Sequence, residues 1–425
     1  MRVVHQGRAL IEAAVRTDAS GAVALLLTLA VVVVFGLDAW LRALFSFDVR
    51  TSFITSQYYA DYRDGFLRRA LPGELLGWLP GQPTDGGVGL LIVVGTVLAV
   101  AALLWLAVRT AQLARGSLAQ LTVLILLLTS PLSGLALLPR DMGRPDAWGL
   151  AGIIGLTALV LALTRVMPVP LPQRLGGTAL IAGLVTLLTA LTDFLLPFCA
   201  VIVALAMIRL WRPVSGSPGR PLTRLGPLLA TAVALLPGAL LVMVSVLAPP
   251  TMATAYAIQI RAGREPGTWD ATLFLTQSAA EAWDYVRFIG WVVPATVAVM
   301  AVLLVLTGLT LGVLTGRADT LTGIVLGYCA VASLVVAIDV RRYWVIALTV
   351  FAACLLLHPR SANRAPAARP AGAAGAVIVS ARGVILRSVV GLLLCAALLG
   401  QNLPFLIASD YVTALRVALT GGAVP

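Results

Sequence analysis

The strongest constraint on this chain is its recurrence of long runs without charge. Residues 21–37 (GAVALLLTLAVVVVFGL) and 87–108 (GVGLLIVVGTVLAVAALLWLAV) are two examples. Each approaches the roughly 20 apolar residues that cross a bilayer as a helix. In hydrocarbon the backbone must satisfy its own hydrogen bonds, so a run of this kind has to be helical. Hydrophobic residues make up 60% of the 425 and charged residues 11%, against about 45–50% and about 25% in a soluble domain. The fold class read from these runs is all-α, a polytopic transmembrane helical bundle.

Eleven spans are expected, near 20–41, 87–108, 117–138, 147–164, 175–192, 194–210, 226–248, 288–313, 320–338, 343–357 and 385–407. The fifth and sixth are divided at Asp193 and Pro197, since an Asp in mid-membrane is costly; the alternative is one span with a re-entrant piece. The basic N-terminus lacks a short apolar core followed by a small-residue cleavage site, so the first run is expected to be a retained span. Cys199, Cys329, Cys354 and Cys395 all fall in apolar segments without metal-ligand spacing, which points to buried hydrophobes.

All thirty basic residues are Arg. With the N-terminus inside, inner segments hold 17 Arg and three acids, and the outer side holds 13 Arg and 15 acids. That asymmetry satisfies the positive-inside rule and puts the C-terminus outside a bacterial plasma membrane. It also accounts for the net charge of +12 without nucleic acid. The expected organisation is a cytoplasmic segment 1–19, a bundle 20–357 with outer loops 42–86, 139–147 and 249–287, a Pro/Ala/Arg linker 358–384, and a last helix with tail 385–425. The inner loops carry neither GxxxxGK[ST] nor a Rossmann glycine pattern, which argues against nucleotide chemistry there.

Chemistry is therefore sought on the outer side. In the first outer loop, Phe66, Leu67, Ala70, Leu71, Leu75, Leu76, Trp78 and Leu79 have helical spacing. This predicts one or two amphipathic helices on the membrane surface. They would hold Asp48, Asp61 and Asp64 as acids or bases and Arg63, Arg68 and Arg69 as phosphate ligands, since guanidinium presents a planar fork to phosphate. Asp61 and Asp64, three apart, share a face if that piece is helical. The second outer loop concentrates Arg140, Asp141, Arg144 and Asp146 around a turn made by Gly143 and Pro145. Asp193 stands at a hairpin tip, as functional acid or helix cap. Arg341 and Arg342, beside Asp339, are expected at the outer edge of the bundle, holding a lipid phosphate or pairing with Asp339. The third outer loop adds Tyr256, Gln259, Arg261, Arg264 and Trp269, without diagnostic spacing. His5 and His358 both fall on the inner side, so acid–base work on the outer face is left to Asp or Glu.

This placement resembles the GT-C class of membrane glycosyltransferases. The match lies in topology, in acids after the first span (Asp48, Asp61, Asp64), and in RDMGRPD (140–146) after the third. It does not extend to the large soluble C-terminal domain that many members carry. The resemblance implies transfer of a sugar from a polyprenyl-phosphate donor to a glycan or lipid acceptor, with an Asp as base. Arg residues, or a divalent cation such as Mg or Mn, would offset charge on the leaving phosphate. The competing readings are an O-antigen-type polysaccharide polymerase or ligase, a secondary transporter or flippase, and a membrane scaffold.

Overall fold

The computed structural model describes residues 40–41, 47–49, 55–64, 70–81, 83–114, 117–130, 133–139, 142–165, 169–192, 194–211, 222–247, 250–268, 272, 292–335 and 340–358. They fold as helices, with no strand among the described residues. Two 3-10 turns, Thr55–Tyr59 and Tyr62–Asp64, precede α1 (Leu71–Gly77), α2 (Asp85–Ala111), α3 (Ser117–Thr129), the single turn α4 (Gly134–Leu137) and α5 (Asp146–Leu163). Then come α6 (Leu171–Leu191), α7 (Leu195–Leu210), α8 (Leu222–Leu247), α9 (Met252–Arg261), α10 (Val292–Leu314), α11 (Thr320–Val335) and α12 (Val340–Leu357).

Four of these helices, within α2, α5, α6 and α8, are long and apolar enough to cross a membrane, and five shorter apolar helices accompany them. By length and composition they are consistent with a helical membrane protein. α8 leaves Leu228, Leu229, Val233, Leu236 and Leu240 exposed, a surface consistent with contact to lipid. α12 is its opposite: from Arg342 to Leu357 every residue is buried, and it packs against α2, α4, α5, α7, α10 and α11. A helix apolar all round belongs in the centre of a bundle.

Where helices meet, small residues bring them close, as expected when van der Waals contact replaces the hydrophobic drive. At Gly149 of α5, a Cβ would lie 2.8 Å from Leu195 of α7.

The apolar run 175–210 is broken as its Asp suggested. α6 ends at Leu191, Thr192 is extended, and α7 begins at Leu195. The two helices run antiparallel, because Trp211, just past α7, donates its indole N–H to Thr178 near the start of α6 (3.1 Å). The expected span 117–138 differs: its helix stops at Thr129 and re-forms only as α4. Pro131 lies in that gap; proline lacks the N–H that an uninterrupted helix needs.

In the first outer loop α1 is helical where the spacing from Leu71 predicts it, while Phe66 and Leu67 lie outside the described residues. The loop's described part is two 3-10 turns and the seven-residue α1. Thr55–Tyr59 is buried throughout and packs against α9 and α1. Two aromatic rings and three small or polar side chains find more contact inside the bundle end than on its surface.

The bundle has two distinct ends. α2, α5, α7 and α12 begin at the end that holds the 3-10 turns. At the other end Arg209 donates to the Leu357 carbonyl (3.0 Å), and His358 meets Asp319 at 2.8 Å. Asp319 caps α11 by accepting the Thr322 N–H (2.9 Å). Burial raises the pKa of Asp319, but the hydrogen bonds from Thr322 and His358 outweigh it and hold the carboxyl below the usual range.

Candidate functional site

The 3-10 turn Thr55–Tyr59 is fixed from several sides. The Thr55 hydroxyl donates to the Val49 carbonyl (2.5 Å) and accepts from Arg264 (3.1 Å). Tyr59 donates to Asp85 in the first turn of α2 (2.5 Å). Beneath it, Tyr58, Tyr59, Ala60, Leu76, Val88, Ile92, Met142 and Ile258 form a small core of their own. Gly73 of α1 lies flat against this segment. A Cβ there would overlap the Ala60 carbonyl oxygen and come within 2.7 Å of that of Tyr58. The second outer loop closes the same end through Gly143, whose φ of +95° supplies the expected turn.

Asp61 follows directly. It is 5% exposed and lies between the two 3-10 turns, so the shared helical face expected for Asp61 and Asp64 does not form; Asp64 closes the second turn. Oδ1 of Asp61 accepts the Arg63 backbone N–H (3.0 Å), while Oδ2 accepts the Arg63 guanidinium through Nε (2.8 Å) and Nη2 (2.6 Å). Arg261, at the end of α9, brings Nη1 to 3.6 Å of Oδ2. Burial raises the Asp61 pKa, but the Arg63 hydrogen bond and the Arg261 charge more than offset it, and the carboxyl is held below its ordinary range.

Around this group the surface turns apolar. Glu74 accepts the Tyr62 backbone N–H and the Trp78 indole N–H, both at 3.1 Å. That places Trp78, 71% exposed, beside the Asp61–Arg63 turn. Ile260, next to Arg261, is also exposed. Arg264, just past α9, reaches the same segment at Thr55. Gln259 holds the α9 end in shape by donating to the Thr268 carbonyl (2.6 Å) and accepting from Gly267 (2.8 Å).

A second charged pair lies deeper. Arg342 donates to Asp146 through Nη2 (2.6 Å), and its Nε lies 2.5 Å from the other carboxylate oxygen. The side chains are 5% and 3% exposed. The Arg342 guanidinium also sits over the rings of Phe194 (4.8 Å) and Tyr343 (5.8 Å), which meet edge to face. Asp146 is the first residue of α5, where a carboxylate is favoured by the helix dipole. Tyr58 lies near enough to Asp146 to feel its charge. Its hydroxyl has no hydrogen-bond partner among the described residues, and burial, with a smaller contribution from the Asp146 charge, raises its pKa.

The expected residues thus separate into groups. Asp61 and Arg63 meet at the surface of the bundle end. Asp146 and Arg342 meet inside it, so Arg342 stands between helices instead of at an outer edge. Asp48 is exposed and Arg144 partly buried; Arg341 lies in the first turn of α12. Arg68, Arg69, Arg140, Asp141, Asp193 and Asp339 lie outside the described residues. No three His, Cys, Asp or Glu side chains among the described residues are grouped to hold a metal ion, and both Asp61 oxygens are already engaged by Arg63.

Sequence reasoning left Arg261 and Arg264 out of the site. Both stand in the third outer loop among polar and aromatic residues, and no local spacing there marks the meeting with the first loop. Compared with protein families, curated proteins and solved structures, the chain matches none.

Proposed function

We propose that this protein is a membrane-embedded glycosyltransferase of the GT-C kind. It would take a sugar from a polyprenyl-phosphate donor and pass it to a glycan or lipid acceptor at the Asp61 end of the bundle. In the fuller arrangement we propose, about eleven spans set that end on the outer side of a bacterial plasma membrane, with the N-terminus cytoplasmic.

The observation that carries this reading is the meeting of Arg63 and Arg261 on the carboxylate of Asp61, beside exposed Trp78 and Ile260. A lipid phosphate needs guanidinium for its headgroup and an apolar border for its chain. In the reaction Asp61 accepts the proton of an acceptor hydroxyl. The hydroxyl oxygen forms the new bond to the anomeric carbon, and the old carbon–oxygen bond breaks toward the phosphate. The departing phosphate keeps that electron pair, and its charge is offset by Arg63 and Arg261.

The test is mass-spectrometric profiling of lipid-linked sugars and envelope glycans in a deletion strain of the native host. Complementation uses wild type, Asp61→Asn and Arg261→Gln at matched membrane levels. A glycan lost on deletion and restored by wild type, but not by Asp61→Asn, is the expected result. An unchanged profile on deletion, or full rescue by Asp61→Asn, overturns the transferase reading.

A further inference from the structure

Asp61 as observed is not ready to act as a base. Its Oδ2 is occupied by two nitrogens of Arg63 and faced by Arg261, and its Oδ1 accepts a backbone N–H. The two partners are unequal in exposure, however. The Asp61 side chain is 7% exposed and that of Arg63 is 76% exposed. An ion pair with so exposed a partner is weak, about 0–1 kcal/mol, and is easily exchanged for a better one. A lipid phosphate supplies one, since its tetrahedral oxygens match the guanidinium fork: the sugar-bearing donor, a phosphodiester, brings one charge, and the monoester left after transfer brings more. Arg261, at 32% exposure, is held on α9 and remains near the carboxylate.

We propose that Arg63 is an exchange arm: a lipid monophosphate draws its guanidinium off Oδ2 of Asp61, and this same movement exposes the carboxylate to an acceptor hydroxyl. Binding of the donor headgroup and release of the base are then one event, and the donor binds before the acceptor reacts. The order has a chemical use, because a base exposed only after the phosphate is seated does not act on water in the empty site. This inference rests on the transferase reading for the identity of the acceptor step, but the exchange itself is a binding property and is measured without turnover.

The exchange makes an unusual prediction. If Asp61 competes with phosphate for Arg63, removing the carboxylate strengthens phosphate binding. The experiment measures the affinity of farnesyl phosphate for the full-length protein in nanodiscs by calorimetry. Parallel arms use farnesol and inorganic phosphate, and the proteins are wild type, Asp61→Asn, Arg63→Gln and the double variant. Asp61→Asn is expected to bind farnesyl phosphate up to about fivefold more tightly than wild type. Arg63→Gln binds it more weakly, and in that background Asp61→Asn brings no tightening.

A tightening that persists undiminished in the Arg63→Gln background is a simple field effect of the lost charge and overturns the exchange. So does an Asp61→Asn protein that binds no better than wild type, or a wild type that binds farnesyl phosphate no better than farnesol. If inorganic phosphate binds as tightly as farnesyl phosphate, the lipid source is overturned while the exchange stands. Asp61→Ser substitutes in the same cycle should Asp61→Asn fail to fold. The two readings fail separately: a coupled binding cycle with an unchanged glycan profile removes the transferase, and an uncoupled cycle with a lost glycan removes the exchange arm alone.

Discussion

Replacing Asp146 by Asn tests whether the deep charged pair holds the bundle together. The substitution keeps the side-chain volume and removes the charge. Arg342 is then left charged, 4% exposed, with a neutral amide where it had contacts of 2.5 and 2.6 Å to a carboxylate. Removing one member of a buried pair costs about 3–5 kcal/mol, because the other charge stays desolvated. The Phe194 and Tyr343 rings lie beside the guanidinium with or without the Asp146 charge, so their cation–π contact leaves the difference unchanged. Asp146→Asn is therefore expected to cost about 3–5 kcal/mol. The double variant Asp146→Leu with Arg342→Met removes both charges and their desolvation together, and is expected within about 1 kcal/mol of wild type. The assay is equilibrium unfolding in mixed micelles with increasing SDS, followed by tryptophan fluorescence, on wild type, the charge-removing single variants and the double variant. The reasoning is refuted if Asp146→Asn lies within about 0.5 kcal/mol of wild type, a range usual for surface substitutions, or if the double variant is no more stable than the singles.

Three further outcomes follow from the same end of the molecule. Gly73→Ala drives a methyl group into the Ala60 and Tyr58 carbonyls and is expected to cost about 1–3 kcal/mol; hydrogen exchange should show lost protection in 55–64 before any loss in α12. Gln259→Ala leaves the Thr268 carbonyl and the Gly267 N–H without their partner, a cost of about 1–3 kcal/mol, read as faster exchange over 262–268. For pH, the folded Asp61 carboxyl titrates below its unfolded value, which is about 3.9. Its contribution is therefore fully present above that value and is lost as pH falls through the lower folded one. The difference in thermal stability between wild type and Asp61→Asn should stay constant from neutral pH to about 5 and shrink only in stronger acid; a difference that fades between pH 7 and 5 would contradict the assignment.

What the sequence determined by itself is the class and most of the helical segmentation. Lipid acts as a uniform solvent, so an apolar run must satisfy its backbone locally and becomes a helix wherever it occurs. The start of α5 near Asp146, the break between Leu191 and Leu195 and the start of α11 after Asp319 were all legible for this reason, each marked by polar or helix-breaking residues. The end of α3 at Thr129 was less so, because the apolar residues continue past Pro131 and hydropathy alone does not register the lost N–H.

Only the tertiary structure decided which charges meet. Arg342 and Asp146 are 196 residues apart, and Arg264 and Thr55 are 209 apart. The sequence places these groups near helix ends and offers each several partners of similar chemistry. The sequence puts Asp339 beside Arg342, and nothing local in it shows that Arg342, on the buried central helix, also meets Asp146 at the start of α5. The first outer loop shows the same limit. The helical spacing read from Ala70 to Leu79 is met by α1, but nothing in that spacing shows that Tyr58 and Tyr59 fill the end of the bundle, where Gly73 allows the close approach that seats them. That burial brings Asp61 against Arg261. A site assembled from loops distant in sequence is decided by the packing that brings the loops together, and packing of that kind leaves no local pattern in the chain.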